Sequence, residues 1–308
     1  MKEIGGYFEL ECSDNPFYHK NGTLFNTARN ALRHFVKIIG IKKIFVPSYT
    51  CPVVFESIKQ ENCEILLYEI GDDFMPQMSF PKDSYIIYSN YFGICGKNVD
   101  YLSETYPNLI MDNAQAFYSE SKGIASFYSP RKFFGLPDGG ILLSKIDLPS
   151  PVEKSVSFDK CSHLLKRLDL GANAGFADFQ KNDYGFSGLP VQSMSALTES
   201  LMGNINYEMA KQKRLNNFHY IHEKFIEINK LKIDLQKDDV PMVYPLLLEK
   251  EGVREKLIAN KIYVAKYWPN VECKFSKYIL PLPIDQRYCV KDMEFIVEIL
   301  REKINGQN

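Results

Sequence analysis

The sequence predicts an α/β protein with a mostly parallel sheet, because of two features of its first 145 residues. Short apolar runs that suit strands, such as residues 43–47, 84–90 and 108–112, alternate with amphipathic segments that suit helices. The runs are apolar almost throughout, which is typical of parallel strands covered on both faces. In such a sheet, side chains at the carboxyl ends of neighbouring strands meet in one crevice.

The first half opens with an arm whose residues 8–10 predict an edge strand. Thr27 is the expected N-cap of a first helix, and Gly40 is its expected end. The remaining elements expected before residue 145 are a strand over 43–47, a helix from 52 to about 60, strands over 64–70 and 84–90, a helix over 98–106, and strands around residues 112, 125 and 142.

The second half has a different pattern. Residues 155–170 predict a helix, and residues 171–188 predict a long loop rich in glycine and aromatic residues. Apolar residues at helical spacing between Met194 and Phe225 predict one long helix or two stacked helices. The remaining elements are a strand over 242–248, a helix over 251–260 and a closing helix over 290–303.

Length, charge and cysteine content narrow the class of protein. The 308 residues suit a large domain over 1–204, including the N-terminal arm, and a small α/β domain over 205–308. Lysine and arginine total 37 against 38 acidic residues, so nothing favours nucleic acid or a membrane surface as a partner. The seven scattered cysteines form no Cys-x-x-Cys pair, and no signal peptide is apparent. We therefore expect a cytoplasmic protein without a metal site.

Lys132 is the first candidate for a catalytic side chain. It lies in a loop between two predicted strands, three residues after Ser129 and shortly before Gly139-Gly140. Aromatic residues surround it in the sequence, and partial burial would lower the pKa of its amine and favour imine chemistry. A solvated surface lysine is the ordinary alternative.

Asp112 supports a catalytic role for Lys132, because it ends a predicted buried strand and can face a ligand crevice. Pyridoxal phosphate (PLP) requires a lysine for its Schiff base and a carboxylate that keeps its pyridine nitrogen protonated. The order Asp112, Gln115, Ser129, Lys132 and Gly-Gly resembles the DegT/DnrJ/EryC1/StrS family of PLP-dependent sugar aminotransferases. The resemblance covers the chain from about residue 26 to its C-terminus.

The resemblance implies the fold of PLP-dependent transferases, fold type I (aspartate-aminotransferase-like), and a cofactor site. Lys132 matches the lysine that binds PLP, Asp112 matches the partner of the pyridine nitrogen, and Gln115 and Ser129 match polar contacts of the cofactor. The segment around Ala28 and Arg29 matches the segment that holds the phosphate, with alanine replacing the usual glycine.

Two further segments depart from the family pattern. Cys51 stands where an aromatic residue usually stacks on the pyridine ring, and Tyr49 is a candidate to replace that contact. Residues 183–188 occupy the place of a Gly-x-Asn-x-Arg stretch that reaches across the dimer in the family.

The resemblance implies an activity: transfer of an amino group from glutamate to a nucleotide-linked keto-sugar in surface-polysaccharide or related sugar biosynthesis, by a homodimer. Two alternatives remain open. One is a PLP enzyme of another reaction type, although family dehydratases carry histidine where this chain has Lys132. The other is a non-catalytic member that binds a sugar nucleotide or a partner chain.

Overall fold

A computed structural model describes residues 4–305 and places a seven-stranded sheet in the first half of the chain. The strands are β1 (Thr23–Phe25), β2 (Lys43–Pro47), β3 (Glu64–Tyr68), β4 (Tyr85–Ser89), β5 (Leu109–Asn113), β6 (Ala125–Tyr128) and β7 (Gly140–Ser144). Their order in the sheet is β1-β7-β6-β5-β4-β2-β3. The five strands from β3 to β6 in that order are parallel, and β7 is antiparallel to both of its neighbours. The prediction of a mostly parallel sheet is confirmed.

Helices cover the sheet and build the second half of the chain. They are α1 (Ala28–Ile39), α2 (Pro52–Lys59), α3 (Gly96–Thr105), α4 (Ser162–Leu170), α5 (Ala172–Tyr184), α6 (Ala196–Gly203), α7 (Tyr207–Phe225), α8 (Val253–Ala259), α9 (Lys274–Tyr278) and α10 (Val290–Asn305). A two-stranded antiparallel sheet of β8 (Tyr244–Leu247) and β9 (Ile279–Leu282) lies among the last of them. No helix within residues 4–305 is both long and apolar enough to cross a membrane.

Successive residues of the central strands enter different cores. On β5, Ile110 packs in the core with α1 and α2, while Leu109 and Met111 pack in the core shared with the C-terminal elements. This double burial explains why the strands are apolar at consecutive positions. The expected boundary between residues 204 and 205 falls in the short link between α6 and α7.

The start of α1 is placed against β7 by a close backbone approach. Thr27 caps the helix through its hydroxyl, which accepts from the Asn30 amide at 3.2 Å, and Gly40 ends it in the left-handed conformation, as predicted. A Cβ at Gly140 would lie 2.3 Å from the Ala28 nitrogen, so only glycine fits there. The Gly-Gly motif therefore brings the first turn of α1 beside the Lys132 loop.

Three local predictions need correction. Residues 8–10 form no strand, and the edge of the sheet is β1 instead. The expected loop over 171–188 contains a helix of 13 residues, α5, which packs against α4. The helix expected over 155–170 begins only at Ser162, after a short 3-10 turn at Phe158–Lys160. The stripe between Met194 and Phe225 forms two helices, α6 and α7, which was one of the two arrangements expected.

Candidate active site

The candidate site lies where the strand order reverses. The chain passes from β2 to β3 at one edge and then returns to β4 on the other side of β2, so the switch point lies between β2 and β4. Ligand crevices of open α/β sheets form outside the carboxyl ends of the strands at such a point. Thr50 follows β2 and Ser89 ends β4, and their hydroxyl oxygens lie 3.4 Å apart in the interior.

Asp112 stands on the next strand, β5, and joins this polar group. Its Oδ2 accepts from the Ser89 hydroxyl at 3.4 Å, and its Oδ1 accepts from the Ala114 amide at 2.9 Å. Burial raises the pKa of Asp112, while the charge of Lys132 and these two hydrogen bonds act in the opposite direction. The carboxylate is therefore buried without enough positive charge to offset its desolvation, although the charge of Lys132 reaches it.

Lys132 ends a 3-10 turn, Pro130–Lys132, between β6 and β7, as the sequence predicts. Its amide donates to the Ser129 carbonyl at 3.1 Å, which fixes the turn. The expectation of partial burial among aromatic rings is wrong, because the side chain of Lys132 is exposed. The neighbouring Phe133 and Phe134 are buried in a core on the other side of the turn.

The side chain of Gln115 carries a buried hydrogen-bond donor that has no partner in the described residues. Its Oε1 accepts from the Phe92 amide at 2.9 Å, which fixes the orientation of the side-chain amide. Its Nε2 is buried and has no partner within residues 4–305. Phe92 holds a positive φ of 56°, a strained conformation for an aromatic residue. A buried donor without a partner is costly in a folded chain, so this donor is a candidate ligand contact.

The side of the site next to α1 is cationic. Arg29, in the first turn of α1, and Arg131, beside Lys132, both lie over the ring of Phe186, at 5.7 and 4.5 Å from its centre. Arg131 pairs with Asp183, whereas Arg29 has no ion-pair partner in the described part of the chain. Burial is the main cause that lowers the pKa of Arg29; the charge of Asp183 opposes this shift and the charge of Arg131 adds to it. Two guanidinium groups on one ring form a place where an anion would be stabilised.

Two other residues of the predicted cofactor contacts lie beside these groups. Ser129 is buried directly before the 3-10 turn, and its hydroxyl does not cap that turn. Ala28 begins α1 and is half-buried. The site thus brings Ala28, Arg29, Ser129 and Lys132 to the common edge of α1, β6 and β7.

Cys51 is the N-cap residue of α2, is half-buried and makes no capping hydrogen bond. It packs at the border of the two cores, close enough to contribute to the raised pKa of Tyr267, which burial brings to about 12. Tyr49 is the candidate to replace the missing aromatic contact. Its ring is buried against Tyr91 and Trp268, with ring centres 5.6 and 4.7 Å away.

Sequence reasoning missed several residues of the site. Thr50 and Ser89 are short polar residues at strand ends, a signal that the switch-point rule would have used. Arg131 and Phe186 are 55 positions apart, so their contact has no local signature.

No family model matches the chain, and no curated protein matches its sequence. Solved structures match its fold. DesV of S. venezuelae, in a complex with a ketimine intermediate, is 14% identical with a TM-score of 0.67, over 93% of this chain and 85% of that chain. A DegT DnrJ EryC1 StrS aminotransferase from Brucella abortus is 15% identical with a TM-score of 0.64, over 93% and 86%. Spr1654 of Streptococcus pneumoniae, a proposed sugar aminotransferase in its PLP form, is 14% identical with a TM-score of 0.63, over 91% and 86%.

These likenesses establish the fold. The chain has the architecture of the PLP-dependent aminotransferases of fold type I, and the prediction of the fold class is confirmed. The similarity extends over nine-tenths of the chain and includes the C-terminal elements as well as the sheet.

Proposed function

We propose that this chain is a PLP-dependent aminotransferase of the DegT/DnrJ/EryC1/StrS type. The observation that carries the proposal is the group of side chains at the switch point. There the charge of an exposed lysine on a fixed turn, Lys132, acts on a buried carboxylate, Asp112, and a buried donor without a partner, Gln115, stands close by in the sequence. An amine and a carboxylate are the two groups that PLP requires from its protein.

The residues present fit this cofactor in three respects. The raised pKa of Asp112 would fall beside a protonated pyridine nitrogen, because each charge favours the other. The free Nε2 of Gln115 would gain an acceptor. Arg29 and Arg131 offer positive charge to a phosphate, and Ser129 lies in the same loop as Arg131. Ala28 and Cys51, in contrast, supply neither the glycine nor the aromatic ring that the resemblance leads us to expect.

When bound, PLP would supply an electrophilic carbon and a ring that accepts electrons from a neighbouring carbanion. The chain contributes the rest. Lys132 would form the covalent link and, once released, would move a proton at the substrate carbon as a general acid and base. Asp112 would keep the ring nitrogen protonated, and Gln115 would donate a hydrogen bond to the cofactor. An amino donor would leave as a 2-oxo acid, and a keto acceptor would take up the amino group.

Glutamate is the proposed donor, and the proposed acceptor is a nucleotide-linked keto-sugar of surface-polysaccharide or related biosynthesis. The support for a sugar is the family resemblance and the fold shared with Spr1654. A cytoplasmic location suits such a substrate. All seven cysteines are free thiols in the described chain, which fits a reducing compartment.

A homodimer is part of the proposal, and the support is exposed apolar surface. The hairpin of α4 and α5 exposes several large apolar side chains, among them Leu168 at 83%, Leu165 at 61% and Phe176 at 57%. Apolar side chains grouped on one hairpin are typical of a surface that another chain covers. A second copy is the occupant we propose, because the corresponding region crosses the dimer in the family. Sedimentation at micromolar concentration with PLP present should give a dimer, and a monomer would contradict this part.

The covalent link gives the direct test of the cofactor. Borohydride reduction with PLP, followed by peptide mapping, should place a pyridoxyl group on Lys132. Lys122→Arg is the matched control, since Lys122 pairs with Asp100 at the surface and should not affect the label. A label on another lysine, or none with excess PLP, would refute the assignment.

The absorbance of bound PLP then separates the activities. Glutamate should convert it to the pyridoxamine form in a single turnover. Binding without conversion by any amino donor would favour the non-catalytic alternative or another PLP reaction.

A further inference from the structure

The buried arginine of α7, Arg214, reaches the loop of the proposed cofactor lysine. Its Nη2 donates to the carbonyl of Phe133, the residue directly after Lys132, at 3.0 Å, and its guanidinium lies 4.5 Å from the centre of the Phe133 ring. Only 1% of Arg214 is exposed, and no carboxylate within residues 4–305 lies at ion-pair distance from it. A buried cation without a salt bridge is costly, so its hydrogen bonds to carbonyls are what keep it in place.

The second terminal nitrogen of the same guanidinium is connected through hydrogen bonds to Gln115. Its Nη1 donates to the Met242 carbonyl at 2.9 Å, and the Met242 amide donates to the Phe92 carbonyl at 2.8 Å. The Phe92 amide in turn donates to Gln115 Oε1 at 2.9 Å. Four hydrogen bonds of 2.8–3.0 Å therefore connect Gln115 to the residue after Lys132.

The members of this chain of hydrogen bonds are all buried, so water does not compete for them. Gln115 is exposed by 5%, Met242 by 5%, Phe133 by 3% and Phe92 not at all. Burial lowers the pKa of Arg214 to about 10, which leaves the side chain charged at neutral pH. Hydrogen bonds from a charged donor are stronger than neutral ones, and a planar fork fixes two acceptors relative to each other.

We propose that Arg214 is a positioning residue that sets the Lys132 turn against Gln115 by bridging the Phe133 and Met242 carbonyls from the C-terminal half of the chain. The turn before Lys132 is held separately, through Arg131 and Asp183. Lys132 itself is exposed and makes no such bond, so its position depends on the backbone on either side of it. The inference deepens the proposed function, since it concerns the same lysine.

A lysine would fill this role only in part, because one ammonium group does not fix two carbonyls relative to each other as a planar fork does. Arg214→Met removes both donors and keeps much of the volume. Gln286→Met is the matched partial variant, since Gln286 Nε2 also donates to the Phe133 carbonyl, at 2.8 Å, without touching Met242. Arg254→Met is the stability control. Arg254 also donates to backbone carbonyls, among them those of Val264 and Ile279, but none belongs to the site.

Hydrogen exchange on the cofactor-free protein is the first measurement, since it does not depend on PLP. Arg214→Met should raise exchange about tenfold or more in two separate peptides, residues 129–136 and residues 91–95. Gln286→Met should affect only the first peptide, and Arg254→Met neither. If Arg214→Met does not fold, Arg214→Lys should show the same two-sided change at smaller amplitude.

PLP affinity is the second measurement. Arg214→Met should weaken it about tenfold or more, while Arg254→Met, at a comparable loss of unfolding free energy, should leave it unchanged. Unchanged exchange in both peptides, or equal effects of the Arg214 and Arg254 variants, would overturn the proposal. A parent protein that binds no PLP would instead refute the proposed function, and the exchange result would still decide the role of Arg214.

Discussion

Asp112→Asn tests whether the buried carboxylate works as a charge or as part of the scaffold. The asparagine oxygen can still accept from the Ala114 amide, and its Nδ2 can donate to the Ser89 hydroxyl, so both hydrogen bonds of the carboxylate have replacements. The shape of the side chain is also retained. The substitution therefore removes the negative charge and little else.

The loss of charge should slow proton removal from the substrate carbon, because the ring nitrogen is then no longer kept protonated. Removal of a positioned electrostatic or acid–base group costs on the order of a hundredfold in kcat. That factor corresponds to about 2.7 kcal/mol of transition-state stabilisation. PLP should still bind through Lys132 and the contacts to its phosphate.

Stability should change in the opposite direction. The folded pKa of Asp112 is raised by burial, so the folded chain holds this proton more tightly than the unfolded chain does. The carboxylate therefore contributes less stability as pH rises above its ordinary pKa of about 4. Since asparagine resembles the neutral form, cofactor-free Asp112→Asn should be at least as stable as the parent at pH 7.

Two measurements decide the question. Single-turnover conversion of bound PLP to the pyridoxamine form by glutamate gives the rate, and urea unfolding of the cofactor-free proteins between pH 4 and 8 gives the stability. Conversion at the parent rate would refute the catalytic role. A loss of about 1 kcal/mol at pH 7 would instead mark Asp112 as a capping carboxylate.

Three further predictions concern the surroundings of the site. Arg29→Gln should weaken PLP about tenfold or more and leave the affinity for pyridoxal, which lacks the phosphate, unchanged in a fluorescence titration. Asp239→Asn should raise the free energy of unfolding by about 1–2 kcal/mol at pH 7, and this gain should shrink as pH falls toward 4, since burial raises the pKa of Asp239 to about 6 and the parent loses stability as pH rises from about 4 to 6. Gly93→Ala should lower the free energy of unfolding more than Gly40→Ala does, as measured by urea unfolding. Both glycines have a positive φ, which alone should cost about 1–2 kcal/mol. A Cβ at Gly93 would in addition lie 2.8 Å from the Val240 carbonyl, whereas no described atom lies within 4 Å of a Cβ at Gly40.

The parallel sheet could be predicted because strands that are buried on both faces are apolar at consecutive positions. Ile110 and Met111 enter different cores, so β5 is apolar at both positions and reads as a strand without alternation. The Lys132 loop was predictable for a similar reason, since glycine and proline residues flank it. The exposure of the Lys132 side chain could not be predicted, because neighbouring residues of a 3-10 turn point in different directions and here Phe133 and Phe134 are the buried ones.

Helix α5 was missed because its glycine has a packing role. Gly175 suggests a loop by its low helix propensity. In the structure it is the one buried residue of α5, and a Cβ there would lie 2.8 Å from the His163 carbonyl of α4. The glycine therefore allows two helices to approach closely. A hydrophobic stripe, the usual signal of a helix, is weak here because α5 buries so little.

The side of the site next to α1 departs from the family motif, yet it still gathers positive charge. Phe186 lies in the stretch that replaces Gly-x-Asn-x-Arg, and its ring faces both Arg29 and Arg131. Cation–π contacts offset part of the cost of bringing two guanidinium groups together, but their mutual repulsion remains. Asp183, which pairs with Arg131, relieves part of that repulsion, and a bound anion would relieve more of it. Arg29 and Arg131 thus bring two positive charges to the stretch where the motif is missing, and Arg131 and Phe186 had no signal in the sequence that would select them.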